Sequence, residues 1–110
     1  MKINILLPYK EKFDRNKASS VSITVSNNMQ FSNYLDDIKV FGQKTEDPLF
    51  KKNFIGINYS LLSLKSKNNY LADQLSKNIL NSNDDKQLIE IHNRPYLVKR
   101  IKNKIRSCPI

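Results

Sequence analysis

The stretch Leu88-Ile89-Glu90-Ile91-His92-Asn93-Arg94-Pro95-Tyr96-Leu97-Val98 decides how the chain is read. Leu88 to Ile91 is a short apolar-rich run of the kind found in buried strands. It stops at His92-Asn93-Arg94 and meets Pro95, whose fixed φ and missing N–H suit the first position of a helix. Leu97, Val98, Ile101 and Ile105 then recur at helical spacing, and Lys99, Arg100, Lys102, Lys104 and Arg106 take the opposite face. A strand that ends in polar residues and feeds a helix is half of a βαβ unit. In open α/β sheets ligands collect at the carboxyl ends of the strands, which is where His92, Asn93 and Arg94 fall.

Working outward, Lys2 to Leu7 reads as a first strand, closed by Pro8, which cannot donate to a neighbouring ladder. A polar, charged loop follows to Ser20. Val21, Ile23 and Val25 alternate with polar residues, which favours a strand, while Val21, Val25 and Met29 also lie at i, i+4, i+8. Ile38 to Phe41, with Gly42 behind it, is a second strand. Residues 43–53 form a loop containing Pro48, and Phe54 to Ile57 a short extended piece. Tyr70, Leu71, Leu75 and Ile79 mark an amphipathic helix capped by Asn68 or Asn69 and ended by Asn81 to Asp85. Cys108-Pro109-Ile110 reads as the start of another strand, so the expected architecture is a Rossmann-like open parallel sheet with flanking helices, and the chain a fragment of a larger domain.

With 110 residues and 39% apolar content, there is material for one modest core. No run approaches the 18 or so apolar residues of a membrane span, and Ile3 to Leu7 is too short for a signal peptide. This makes the cytoplasm the default compartment. The lone cysteine, Cys108, excludes an internal disulfide or a cysteine-based zinc site and reads as a small buried thiol. The net charge of +9 invites a nucleic-acid or acidic-membrane partner. Composition weakens that inference: 15 Lys, 14 Asn and 12 Ile stand beside 4 Arg, the bias of an AT-rich genome rather than of a phosphate or base reader. The exception is Arg94 to Arg106, with six basic residues and no acid, read first as a solvated face and second as membrane-adjacent.

Only Gly42 and Gly56 are present, so glycine-rich phosphate cradles are excluded, as are the serine-hydrolase elbow and the P-loop. Asp36-Asp37 and Asp84-Asp85 read as turn residues, because adjacent side chains diverge. No carboxylate set suited to a metal stands out. His92, the single histidine, is either a loop residue whose ring caps the next helix or a functional group at a strand end. Arg94 is either a surface cation or aimed at an anionic ligand.

Two blocks, Lys2 to Phe13 continuing with Ala18-Ser19-Ser20-Val21-Ser22, and Ile89-Glu90-Ile91-His92-Asn93-Arg94-Pro95, resemble the amino-terminal domain of family-4 glycosyltransferases. The resemblance implies a retaining GT-B enzyme in which two Rossmann-like domains flank a cleft, this chain being the front part of the first. It implies a nucleotide-sugar donor, a glycan or lipid-linked acceptor, no bound metal or other cofactor, and peripheral contact with the inner face of the membrane. By similarity, Ala18, Ser19 and Ser20 approach the donor diphosphate through backbone N–H groups, although relatives often carry Gly-Gly or Gly-Ala there. His92 faces the acceptor and orients it, with Asn93, Arg94 and Glu11 assisting. The family has a helix over Val21 to Val25, and that replaces the strand reading. The donor-binding domain is absent from this chain, so the chain alone is expected to be inactive. The competing expectation is a small basic module for nucleic acid or acidic membrane.

Overall fold

The computed structural model describes residues 1–58, 66–82, 84 and 86–105. Four strands, β1 (Lys2–Leu6), β2 (Ile38–Gln43), β3 (Phe54–Ile57) and β4 (Gln87–Ile91), form one sheet in the order β3-β2-β1-β4, with every neighbouring pair parallel. Three α-helices accompany them: α1 (Ser20–Gln30), α2 (Lys67–Leu80) and α3 (Leu97–Lys104). The expected Rossmann-like α/β sheet is therefore present. The proposed strand at Cys108-Pro109-Ile110 and the thiol of Cys108 lie outside the described residues, as do Arg106 and Asp85.

Two apolar clusters, one on each face of the sheet, explain the layering. On one face Ile5, Leu7, Ile38 and Val40 meet Val25 and Met29 of α1, together with Phe13 from the loop after β1. On the other, Leu6, Phe41, Ile57 and Ile89 meet Leu71, Leu75 and Ile79 of α2 and Leu97, Ile101 and Ile105 at α3. Successive strand residues point to opposite faces, so the run Ile5-Leu6-Leu7 is buried throughout because both faces are covered.

The ambiguous segment after Ser20 is a helix. Ser22, Val25 and Met29 are buried at helical spacing while Ile23 is about half exposed, so the i, i+4, i+8 pattern prevails over alternation. Ser19 starts it as N-cap, its Oγ accepting from the Ser22 N–H at 3.2 Å. Two sequence-based boundaries shift. The cap of α2 is Ser66, which accepts from the Asn69 N–H at 3.2 Å, rather than Asn68 or Asn69. Pro95 lies in a turn before α3, whose first helical residue is Leu97, because the Leu97 and Val98 N–H groups first close tight bonds to Arg94 O and Pro95 O.

Between β2 and β3 no helix intervenes. The connecting segment runs over the α1 face instead, where Leu49, Phe50 and Phe54 join the core and Phe54 stacks on Phe13 with ring centroids 5.7 Å apart. Asn53 fixes it by donating from Nδ2 to Leu35 O and Ile38 O at 2.8 and 2.9 Å.

Asn4, a polar residue within the apolar run of β1, has a structural role. Its side chain is buried and donates from Nδ2 to Gln87 Oε1 at 2.8 Å and to Leu88 O at 3.2 Å. Gln87 passes the network on, donating from Nε2 to Ser82 Oγ and Asp84 O. β1 and β4 are thus locked at their starts by buried polar groups that satisfy one another.

The basic face of α3 is not wholly solvated. Arg100 makes a two-pronged contact with the nearly buried Asp73 of α2, Nε to Oδ1 at 2.9 Å and Nη2 to Oδ2 at 3.0 Å, and Lys104 Nζ lies 3.5 Å from the same carboxylate. Asp73 holds the Arg100 guanidinium charged more firmly than usual. The pair clamps α3 onto α2 and removes two of the cations from the free face.

Asn4→Ala leaves Gln87 Oε1 buried without its donor and is expected to cost about 1–3 kcal/mol of stability, measured by urea unfolding. Thr24→Ala on the exposed side of α1 is expected to change it by less than about 0.5 kcal/mol. Arg100→Met, which removes both guanidinium hydrogen bonds to the nearly buried Asp73 carboxylate and leaves it the longer Lys104 contact, is expected to lose about 1–3 kcal/mol, and Arg100→Lys to recover only part because one ammonium cannot reproduce the fork.

Candidate functional site at the carboxyl ends of β1 and β4

The strand order carries a topological consequence. The chain proceeds outward from β1 to β2 and β3, then returns across β1 to lay down β4 on its other side. The loops leaving β1 and β4 therefore lead to helices on opposite faces of the sheet, α1 on one and α3 on the other, and the carboxyl edge between them is the topological switch point, the crevice at which open α/β sheets bind ligands. Leu6 is paired with Ile91, and the His92 N–H continues the ladder to Leu6 O at 3.3 Å. His92, Asn93 and Arg94 thus begin beside Leu7 and Pro8, at the mouth of that crevice.

The His92 ring does not cap α3: the N-cap position is Tyr96, with no side-chain hydrogen bond. Instead His92 Nε2 lies 2.8 Å from Glu90 Oε2. Glu90 precedes His92 by two residues and shares its side of the extended chain. A neutral ring that donates from Nε2 to Glu90 leaves Nδ1 as an acceptor. Asn93 adopts φ of 57°, a left-handed conformation that asparagine tolerates, and this turns the chain sharply after the strand. Arg94 Nη1 donates to Asn93 O at 2.7 Å, bracing the same turn, and remains partly exposed.

Across the crevice, the loop after β1 is tied to the start of α1. Ser19 Oγ donates to Ser22 Oγ at 3.1 Å, and Ser22 Oγ donates to Glu11 O at 3.3 Å. The Ser19 hydroxyl is thus occupied in capping. Ala18 and Ser19 are partly exposed and Ser20, the first residue of α1, is exposed, and the first-turn N–H groups of Ser20 and Val21 lie at the positive end of the helix. Glu11 sits in the loop through its backbone, its N–H bonded to Pro8 O at 3.0 Å. Among the described residues no hydrogen bond or ion pair joins the Glu11–Ser20 group to the His92–Arg94 group. They share an edge and the crevice rather than a contact.

Three neighbours escaped the sequence reading. Tyr9 donates its N–H to Asn68 Oδ1 at 2.7 Å, and its hydroxyl lies 2.6 Å from Lys67 Nζ, which also sits 4.0 Å from the ring centroid. The Lys67 ammonium pulls the Tyr9 hydroxyl below its ordinary pKa, chiefly through that hydrogen bond. Asn68 is therefore a tether for the β1 loop rather than a helix cap. Glu90 was visible only as a strand residue, although the Glu-x-His alternation carries the signal.

Asp14, also missed, anchors the far part of the loop. It is buried and accepts from Thr45 Oγ1, the Asn16 N–H at 2.8 Å and the Asp47 N–H at 3.3 Å. These donors, Thr45 first, hold its carboxyl below the ordinary aspartate value of 3.8. The Asp-x-Asn spacing is a local turn signal that a sequence reading can use.

No metal-binding group of three or more His, Cys, Asp or Glu occurs among the described residues. No described helix is long and apolar enough to cross a membrane.

A depressed carboxyl pKa gives stability that is complete above the unfolded value and is lost as pH falls through the folded one. Wild-type urea midpoints are therefore expected to drop below about pH 4, where aspartate begins to protonate. Asp14→Asn is expected to be less stable at pH 7 and to lose less on going from pH 7 to pH 3.

Comparison with protein-family models, with curated proteins and with solved structures finds no match.

Proposed function

We propose that the chain is the amino-terminal, acceptor-side part of a retaining glycosyltransferase of the GT-B type, similar to family-4 members, which moves a sugar from a nucleotide to a glycan or lipid-linked acceptor. The observation that carries this reading is the placement of His92-Asn93-Arg94 directly after β4 and of the loop leading to α1 directly after β1, the two neighbouring parallel strands at the switch point of the sheet. Open parallel sheets bind ligands at such a point, and the two blocks of family resemblance flank it.

In this account His92 positions the acceptor. Glu90 fixes the ring through Nε2, and Nδ1 accepts a hydrogen bond from the acceptor hydroxyl that attacks the sugar, raising that oxygen's nucleophilicity. Arg94 and Asn93 hold an anionic or polar part of the acceptor, with Glu11 accepting from its hydroxyls. The N–H groups at Ser20 and Val21, with Ala18 and Ser19 leading into them, meet the donor diphosphate at the positive end of α1. No resident metal is invoked. The second domain, with the donor-binding groups, is supplied by a further part of the enzyme, and transfer takes place on the cytoplasmic side of the membrane.

The basic-module alternative gains no support from α3. Arg100 and Lys104 are committed to Asp73, which leaves Lys99 and Lys102 as its dispersed free cations among the described residues.

In the two-domain enzyme, His92→Ala is expected to lower kcat by about 10²–10⁴-fold while shifting the urea midpoint little, because the ring's one hydrogen bond is to a half-exposed carboxylate. Glu90→Gln, which keeps the bond but weakens its charge, is expected to give a smaller loss. Unchanged turnover in His92→Ala refutes the positioning role. The 110-residue chain alone is expected to transfer no sugar, and turnover by it contradicts the need for a second domain.

A further inference from the structure

On the other side of β1 from His92, the loop after β1 and the turn after β2 enclose a cavity of about 230 Å³. Its lining includes Lys12, Lys17 and Lys44, with Asn16, Glu46 and Asp47 between them. Its walls are tied together by backbone: the Arg15 N–H bonds Asp47 O at 3.0 Å and the Leu49 N–H bonds Phe13 O at 3.0 Å. Gly56 brings the Lys44 wall in, since a Cβ there would lie 3.1 Å from Lys44 Cα.

The charges lining the cavity are not equally available. Asp14 is saturated by Thr45 and by backbone donors, and Asp47 Oδ1 lies 3.5 Å from Arg15 Nε. Among the described residues, none of the three lysine ammonium groups has a carboxylate within ion-pair distance. Three uncommitted cations thus face one uncommitted carboxylate, Glu46. A concave site with that balance favours an anion, and the lysines disfavour a metal ion. The lining has no aromatic ring on which a base could stack, which argues against a nucleic-acid strand. Asn16 and Glu46 supply acceptors that suit hydroxyl groups.

We infer that this cavity binds a phosphorylated sugar or polyol, its phosphate held by Lys12, Lys17 and Lys44 and its hydroxyls by Asn16 and Glu46. The site shares the loop after β1 with the proposed β1–β4 site but is completed by the turn after β2, and it does not depend on the glycosyltransferase reading. Lysines act here as point charges on phosphate, so affinity falls as ionic strength rises.

The test is an amide chemical-shift titration of the 110-residue chain with glucose 6-phosphate, inorganic phosphate and glucose. Glucose 6-phosphate is expected to bind best, phosphate more weakly and glucose not at all, with shifts at Asn16, Lys17 and Lys44 to Asp47. The triple variant Lys12→Gln/Lys17→Gln/Lys44→Gln is expected to weaken glucose 6-phosphate by about tenfold or more. A charge-matched control, Lys77→Gln/Lys99→Gln/Lys102→Gln, is expected to leave it within about twofold. Equal weakening in both triples reduces the effect to net charge and overturns the inference, as does retained affinity in the first triple or equal binding of glucose. Should the triple fail to fold, Lys44→Gln alone, on the surface of the turn after β2, is expected to weaken binding severalfold, and wild-type shifts confined to His92 to Arg94 overturn the site.

Discussion

The parallel pairing of β1 with β4 is the constraint on which the rest depends. A chain that builds β1, β2 and β3 outward in order has no local reason to return across its first strand, and parallel pairing across such a sequence distance is entropically slow to establish. Two things fix it. Leu6 and Ile89 share a core with α2 and α3, and the buried Asn4 amide reaches Gln87 and Leu88. Because side chains alternate, a one-residue slip would carry Ile89 to the exposed face and leave Asn4 without its partner. The polar contact therefore selects the register that the apolar contacts stabilise.

From that return follow the layers and the crevice. α1 lies on one face and α2 and α3 on the other, so the segments leaving β1 and β4 part company at the carboxyl edge. His92 is delivered there by the strand register, turned by Asn93 and steadied by Glu90. The loop after β1 is immobilised independently at three places: Tyr9 on the start of α2, Glu11 on Ser22, and Asp14 on Thr45 and its neighbours. Loops that carry function need such a rigid frame, and here polar side chains supply it where a short chain has little apolar surface to spare.

The layered α/β class was legible in the sequence because its strands are short apolar runs ended by polar or turn residues, and α2 and α3 carry apolar stripes at helical spacing. At Val21 to Val25 alternation and helical spacing coexist, so the residues alone left the choice open; the family resemblance favoured the helix, and burial against Phe13, Val40 and their neighbours accounts for it. Helix starts were displaced by two to three residues because Ser66, a serine outside the apolar pattern, caps α2, and because Pro95 enters a turn before α3 begins at Leu97. The position of His92 at a strand end could be read, and the Glu-x-His alternation puts Glu90 on its side of the strand, but alternation alone does not say that the two side chains bond. Asp73 with Arg100, Tyr9 with Lys67, and Asp14 with Thr45 join residues 27, 58 and 31 positions apart, and a single sequence holds no record of such pairings.

The most direct test of the crevice as the ligand site is amide chemical-shift mapping of the chain with UDP-glucose and a short-chain prenyl-diphosphate disaccharide. The account predicts that the disaccharide shifts His92, Asn93 and Arg94, that the nucleotide sugar shifts Ser19 to Val21 weakly in the absence of the second domain, and that His92→Ala removes the first set while sparing the second. Shifts confined to other surfaces, or an identical disaccharide response in His92→Ala, would contradict it.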